Sequence, residues 1–180
     1  MKQEIFQEIE IPEKVEVTQK GNLVIVKGPE GENERKFNFR DLEFEIKGKK
    51  IKVGSKKATK KEKKRINSTT AHLRNMLQGS EKKYEYKLKV CFVHFPSTVE
   101  VKGSEVIIKN FLGEKVSRKA KIPKGAEVKI DKDIIIVKSS DKEIAGQAAA
   151  NLEIATRIRK RDRRVFQDGI FITSKCGVEI

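Results

Sequence analysis

Ile11-Pro12-Glu13-Lys14-Val15-Glu16-Val17 and, 84 positions later, Phe95-Pro96-Ser97-Thr98-Val99-Glu100-Val101 are two versions of one phrase. In each, an apolar residue precedes proline, and two valines then alternate with polar or charged residues, the period of a half-buried strand. The likeness extends outward. Val24-Ile25-Val26-Lys27 is echoed by Val106-Ile107-Ile108-Lys109, which implies an intervening turn two residues shorter in the second copy, and Gly31 is echoed by Gly113. The offset returns to 84 for Phe44, Ile46, Ile51 and Val53 against Val128, Ile130, Ile135 and Val137. Thr59-Lys60-Lys61-Glu62 and Ser140-Asp141-Lys142-Glu143 both have the form of a capping box, in which a hydroxyl and a carboxylate satisfy the free amides of a first helical turn. Behind the first, Ile66, Thr70, Leu73 and Met76 or Leu77 recur at helical spacing; behind the second, Ile144, Ala148, Leu152 and Ala155 do the same. Gly79 stands where a C′ glycine would end the first helix at Gln78. Landmarks of several kinds recurring together point to a tandem duplication.

Strands followed by a helix, twice, define the expected fold class: α+β, with two tandem homologous domains, each a small mainly antiparallel sheet packed against one helix. Gly21-Asn22, Gly28-Pro29-Glu30-Gly31 and Gly48-Lys49 punctuate the first copy as hairpin turns. A strand from Tyr84 to Phe95 opens the second copy. The boundary is therefore expected near Gly79–Lys83, giving domains 1–81 and 82–180.

Composition narrows the function. Hydrophobic residues at 37% are few and charged residues at 37% are many, but the signs are mixed and the apolar positions periodic, which argues for a folded chain. The formal net charge is +15. Residues 55–65 carry +6 and residues 157–164 carry +5, so eleven of the fifteen charges lie in two patches, the electrostatic footprint of a polyanion binder. No apolar run approaches 18 residues and the N-terminus lacks an apolar core, so neither a transmembrane helix nor a signal peptide is expected. Asn67-Ser68-Thr69 is then a chance sequon, and Cys91 and Cys176 are read as reduced thiols.

The second patch is the sharper one. Arg157, Arg159, Lys160, Arg161, Arg163 and Arg164 surround a single acid, Asp162. Two or three basic groups would complement a helix C-terminus, but six repel one another without a counter-anion. Arginine's planar fork meets two phosphate oxygens at once, whereas lysine offers a point charge. The first patch, Lys56, Lys57, Lys60, Lys61, Lys63, Lys64 and Arg65, suits a solvated loop entering a helix as well as an RNA or protein contact. Gly54-Ser55-Lys56 lacks the order and spacing of a nucleotide-binding loop.

Other chemistry finds little support. Cys91 and His94 lie three apart in the expected strand, on opposite faces, which makes a shared metal awkward and core packing the expected role of Cys91. His72, His94 and the acids form no catalytic constellation. Aromatic residues are only 6%, with no basic–aromatic motif of the single-strand RNA readers, so recognition of backbone and shape in folded RNA is expected.

Several stretches together resemble a known family. They are Ile11-Pro12 to Val17, Val26-Lys27-Gly28-Pro29-Glu30-Gly31, Asn67-Ser68-Thr69-Thr70-Ala71-His72-Leu73-Arg74-Asn75-Met76, Tyr86 to Val90 through His94-Phe95-Pro96, and Gly146-Gln147-Ala148-Ala149. The most specific is Arg161-Asp162-Arg163-Arg164-Val165-Phe166-Gln167-Asp168-Gly169-Ile170. Over essentially its whole length the chain resembles the sixth-protein family of the large ribosomal subunit in its archaeal and eukaryotic form, and it lacks the Pro-Glu-Pro-Tyr-Lys-Gly-Lys-Gly-like exit of the bacterial branch. The resemblance implies a cytoplasmic constituent of the large subunit, not an enzyme, with no cofactor, metal, membrane or small-molecule substrate. It implies that the second domain binds large-subunit rRNA near the sarcin–ricin loop, at the stalk base, with neighbouring ribosomal proteins and translation GTPases close by. Carried onto this sequence, the rRNA contacts would be Arg157, Arg159, Lys160, Arg161, Arg163 and Arg164, with Lys175 a weaker one. A stand-alone structured-RNA-binding regulator is the alternative that the charge pattern leaves open.

Overall fold

The computed structural model describes residues 3–180, and the chain divides into two compact units between Lys83 and Tyr84. In the first, β1 (Gln3–Glu10), β2 (Glu16–Lys20), β3 (Leu23–Gly28), β4 (Gly31–Lys36), β5 (Glu43–Lys47) and β6 (Lys50–Ala58) precede α1 (Lys60–Glu81). They form two three-stranded antiparallel sheets, β1-β6-β5 and β2-β3-β4. In the second, β7 (Tyr84–Cys91), β8 (Thr98–Lys102), β9 (Glu105–Lys109), β10 (Arg118–Lys121), β11 (Glu127–Asp131) and β12 (Ile134–Ser139) precede α2 (Lys142–Ala155), and β13 (Gly169–Lys175) and β14 (Val178–Glu179) follow. Its sheets are β10-β9-β8 and β11-β12-β7-β13-β14, again antiparallel throughout. Each copy thus divides its strands between two small sheets, and the second copy adds a pair at the free edge of β7.

The duplication is visible in the cores. Val24, Val26, Ile51 and Val53 are fully buried, and so are their sequence counterparts Val106, Ile108, Ile135 and Val137. Each such side chain contributes about 1.5–3 kcal/mol by leaving water, which is why both copies keep them. Leu73 and Leu77 of α1 close the first core, and Ala145, Ala148, Ala149 and Leu152 of α2 close the second. The buried face of α2 is therefore centred on alanines, with Ile144 only half-buried at its margin.

Four sequence expectations are corrected. The two-residue difference between copies does not lie in the hairpin turn: β2–β3 and β8–β9 have equal two-residue turns, with Gly21 and Gly103 both at φ +61°. It lies before the strand, which starts four residues after Pro12 but two after Pro96. Helix α1 does not stop at Gln78. It runs to Glu81, with Gly79 and Ser80 buried inside it. A methyl on Gly28 would collide with the Ser80 main chain, so the small residues there serve close approach of helix and β3–β4 turn. The first capping box forms as expected, Thr59 accepting from Lys61 N–H and Glu62 accepting from Thr59 N–H. In α2, however, the cap is Asp141, whose carboxylate accepts from Glu143 N–H at 2.8 Å, not Ser140. Finally, β7 ends at Cys91, and Phe92 to Ser97 form a loop.

Candidate nucleic-acid interface

Helix α2 ends at Ala155 with Thr156 as its C-cap, and the arginine run begins one residue later. Thr156 is 3% exposed. Its hydroxyl donates back to the Glu153 carbonyl at 3.2 Å and accepts from Ile170 N–H at 2.9 Å. One side chain thus ties the last turn of the helix to the start of β13. Between these pinned ends, residues 157–167 form a loop closed at its base by buried Asp168, Gly169 and Ile170.

All six basic residues, Arg157, Arg159, Lys160, Arg161, Arg163 and Arg164, are exposed on this loop. Asp162 organises it. Its main-chain carbonyl accepts from Val165 N–H at 3.2 Å and Phe166 N–H at 3.0 Å, and its carboxylate accepts from Arg164 N–H at 2.9 Å. The same carboxylate takes both arms of the Arg164 guanidinium, at 3.2 and 3.0 Å. These hydrogen bonds hold the Asp162 carboxyl below the usual aspartate range, so it stays ionised and the turn stays closed at neutral pH. The Arg161 guanidinium lies 4.8 Å from the centre of the Phe166 ring. Six like charges are thus partly ordered before any anion arrives, which lowers the entropy cost of binding one.

A residue outside the run fixes it. Arg118, on β10, donates through Nη1 to the carbonyls of Ala155 (3.1 Å) and Arg157 (3.2 Å). Its other arms form a fork with Glu114, at 2.8 and 2.5 Å, and its guanidinium sits 4.3 Å over the Phe111 ring. The first copy has a counterpart. Asn33 stands opposite Val26 as Arg118 stands opposite Ile108, and Asn33 donates to Ser80 in the last turn of α1. The shared position ties a strand to a helix end; in the second copy it has become an arginine that also grips the start of the loop. Sequence reasoning missed it. The available signal was that Arg118 is the sole arginine between Arg74 and Arg157.

The remaining candidates belong to other elements. Lys175 is exposed at the far end of β13, about 20 Å from Gly169 at the usual rise per strand residue. In the first unit Lys57, Lys60, Lys61, Lys63 and Lys64 are exposed around the start of α1, while Lys56 lies 3.7 Å from Glu43. Arg65 turns inward, donating to the Asn38 carbonyl at 2.8 Å and facing Asp41 at 3.7 Å, so it braces the loop before β5. Cys91 is not a core residue: it is half-buried at the end of β7, where the chain turns outward. His94 packs edge-on against Phe95 in that loop, and His72 lies 6.5 Å from Phe37 in the other unit. No helix among the described residues is long and apolar enough to cross a membrane.

These features define a class: a duplicated α+β protein whose second copy carries a pre-shaped polybasic loop that the shared fold does not need. Residues 11–81 and 95–169 match the family model described as ribosomal protein L6, one segment in each unit. The chain is 44% identical over 171 residues to the large ribosomal subunit protein uL6 of Methanobrevibacter smithii, covering 95% of this chain and 96% of that protein. Against the uL6 proteins of Sulfurisphaera tokodaii and Archaeoglobus fulgidus it is 44% and 42% identical, covering 95% and 96% of this chain and 92% and 91% of theirs. The chain belongs to the ribosomal protein L6 family. It is accordingly a ribosomal protein and not an enzyme.

Proposed function

We propose that this protein is a cytoplasmic constituent of the large ribosomal subunit and grips large-subunit rRNA through the Arg157–Arg164 loop of its second unit. The observation that carries the reading is the loop itself: six exposed cations on a segment fixed at both ends, with one acid among them that fastens one arginine. A charged surface held in one shape selects a folded backbone of matching shape, where a loose tail would bind any polyanion. The likeness of Arg161–Ile170 to the sixth-protein family supports a position near the sarcin–ricin loop at the stalk base. There the protein would support the centre where translation GTPases act, among neighbouring ribosomal proteins. Lys175 and the exposed lysines of the first unit, from Lys56 to Lys64, are secondary contacts to rRNA or a neighbour. The test is the salt dependence of binding to purified large-subunit rRNA. About five or six phosphate contacts give a log–log slope of roughly −3.5 to −5.5, from about 0.7–0.9 per contact. A slope near zero contradicts the reading.

A further inference from the structure

Beside the arginine loop, within the second unit, lies an open groove of about 770 Å³. Its walls are Phe92 and Val93 from the loop after β7, Ile154 at the end of α2, Phe166 from the arginine loop and Phe171 from β13. Phe92, Val93, Ile154 and Phe171 are 41%, 80%, 58% and 43% exposed, a concentration of apolar surface that a highly charged chain does not leave bare without use. The aromatic walls are held: Phe171 packs over Gly169, where a methyl would come within 3.0 Å of the ring, and Phe166 carries the Arg161 guanidinium. Arg157 and Arg163, both exposed, line the same groove, as do Gln167 and Glu153. Phe166 and Phe171 come from the segment after α2, which has no counterpart in the first copy, so these two walls accompany the arginines.

We propose that this groove receives one unstacked RNA base while Arg157 and Arg163 hold the phosphates on either side of it. The inference rests on the rRNA reading above and names the ligand group that the same site takes. A base offers an apolar face to the phenylalanines and polar edges to the Gln167 amide and Glu153 carboxylate, while its flanking charges meet the two arginines. An acidic protein segment would satisfy the arginines but leave flat aromatic walls without a matching partner.

The experiment uses the full chain and purified large-subunit rRNA from a related archaeon, with Phe92→Ala, Phe92→Trp and Arg163→Gln. Phe92 is a half-exposed loop residue, and an unchanged melting curve will show that its variants fold. Removal of one stacking ring should weaken binding about 5- to 150-fold without altering the salt slope, and Phe92→Trp should restore it. Arg163→Gln should instead flatten the slope by about 0.7–0.9. Ultraviolet crosslinking should join a base to Phe92, Phe166 or Phe171. If Phe92→Ala binds like the parent while Arg163→Gln weakens, the base proposal falls and the rRNA reading stands. If neither variant changes binding, both fall. If Phe92→Ala keeps its rRNA affinity but releases a neighbouring protein from assembled subunits, the groove is a protein site and the proposal is overturned.

Discussion

Replacing Arg118 by alanine should loosen the arginine loop without touching the surface that binds. Arg118 makes two hydrogen bonds to main-chain carbonyls at the end of α2, a fork with Glu114, and a cation–π contact over buried Phe111. Fully buried, charged hydrogen bonds contribute about 1.5–3 kcal/mol each. Here the side chains of Arg118 and Glu114 retain 23% and 40% exposure, so screening brings the fork near the ~1 kcal/mol of a good surface pair. The carbonyl bonds and the ring contact contribute about 1 kcal/mol each at this depth. The second unit should therefore lose about 2–4 kcal/mol, a fall of roughly 10–20 °C in Tm for a domain of this size. Hydrogen exchange should show the loss at residues 152–170, with protection in α1 unchanged. Affinity for rRNA should drop at least about tenfold, because the loop must then be ordered on binding, at about 1–2 kcal/mol per residue fixed. The salt slope should not move, since no phosphate contact is removed. Arg118→Lys should not rescue, because an ammonium lacks the fork that reaches the helix end and Glu114 together. Unchanged melting and affinity in Arg118→Ala would refute the bracing role, and a slope flattened by one contact would make Arg118 a phosphate ligand.

Replacing Arg161, Arg163 and Arg164 together by alanine should weaken rRNA binding far more than replacing Lys56, Lys57 and Lys60; equal losses in filter binding would mean that the first unit contributes as much as the second. The hydrogen-bonded fork with Arg118 holds the Glu114 carboxyl below its ordinary range, so its stabilisation is fully present above the unfolded value of about 4.3 and is lost as pH falls through the lower folded value. Melting of the second unit should thus be flat from neutrality to about pH 5 and decline below it, and Glu114→Gln should shrink that acid-side decline. Trypsin should cut the free protein first within 157–164, where the basic side chains are exposed on a loop, and bound rRNA should suppress those cuts; a loop cleaved equally fast in the complex would exclude it from the interface.

How much of this was legible in the sequence follows from the physics of each signal. The duplication was readable because a strand buried on one face must keep every second residue apolar, and the pairs Val24/Val106 and Ile51/Ile135 obey that in both copies. The same period hid the true place of the gap. A slip of one residue turns a strand inside out, whereas a slip of two keeps its faces. An offset of 84 lays Val15 and Val17 over Val99 and Val101, while the structural offset of 82 still lays Val17 over Val99. Gly79 was misread because a glycine buried inside a helix is written with the same letter as one that ends a helix. Cys91-Phe92-Val93 read as strand because apolar residues in sequence imply burial, yet Phe92 and Val93 line an open groove. The arginine loop announced itself through charge. Its brace did not, since the work of Arg118 depends on a strand register that brings it to a helix end about 40 positions away in the chain.

A crosslinking map of the protein on intact large subunits tests the central claim most directly. Zero-length crosslinks to rRNA should concentrate at residues 157–166, with few from the sheet β2-β3-β4 of the first unit. Crosslinks gathered on another surface, with Arg161, Arg163 and Arg164 unreacted and open to solvent, would contradict the account.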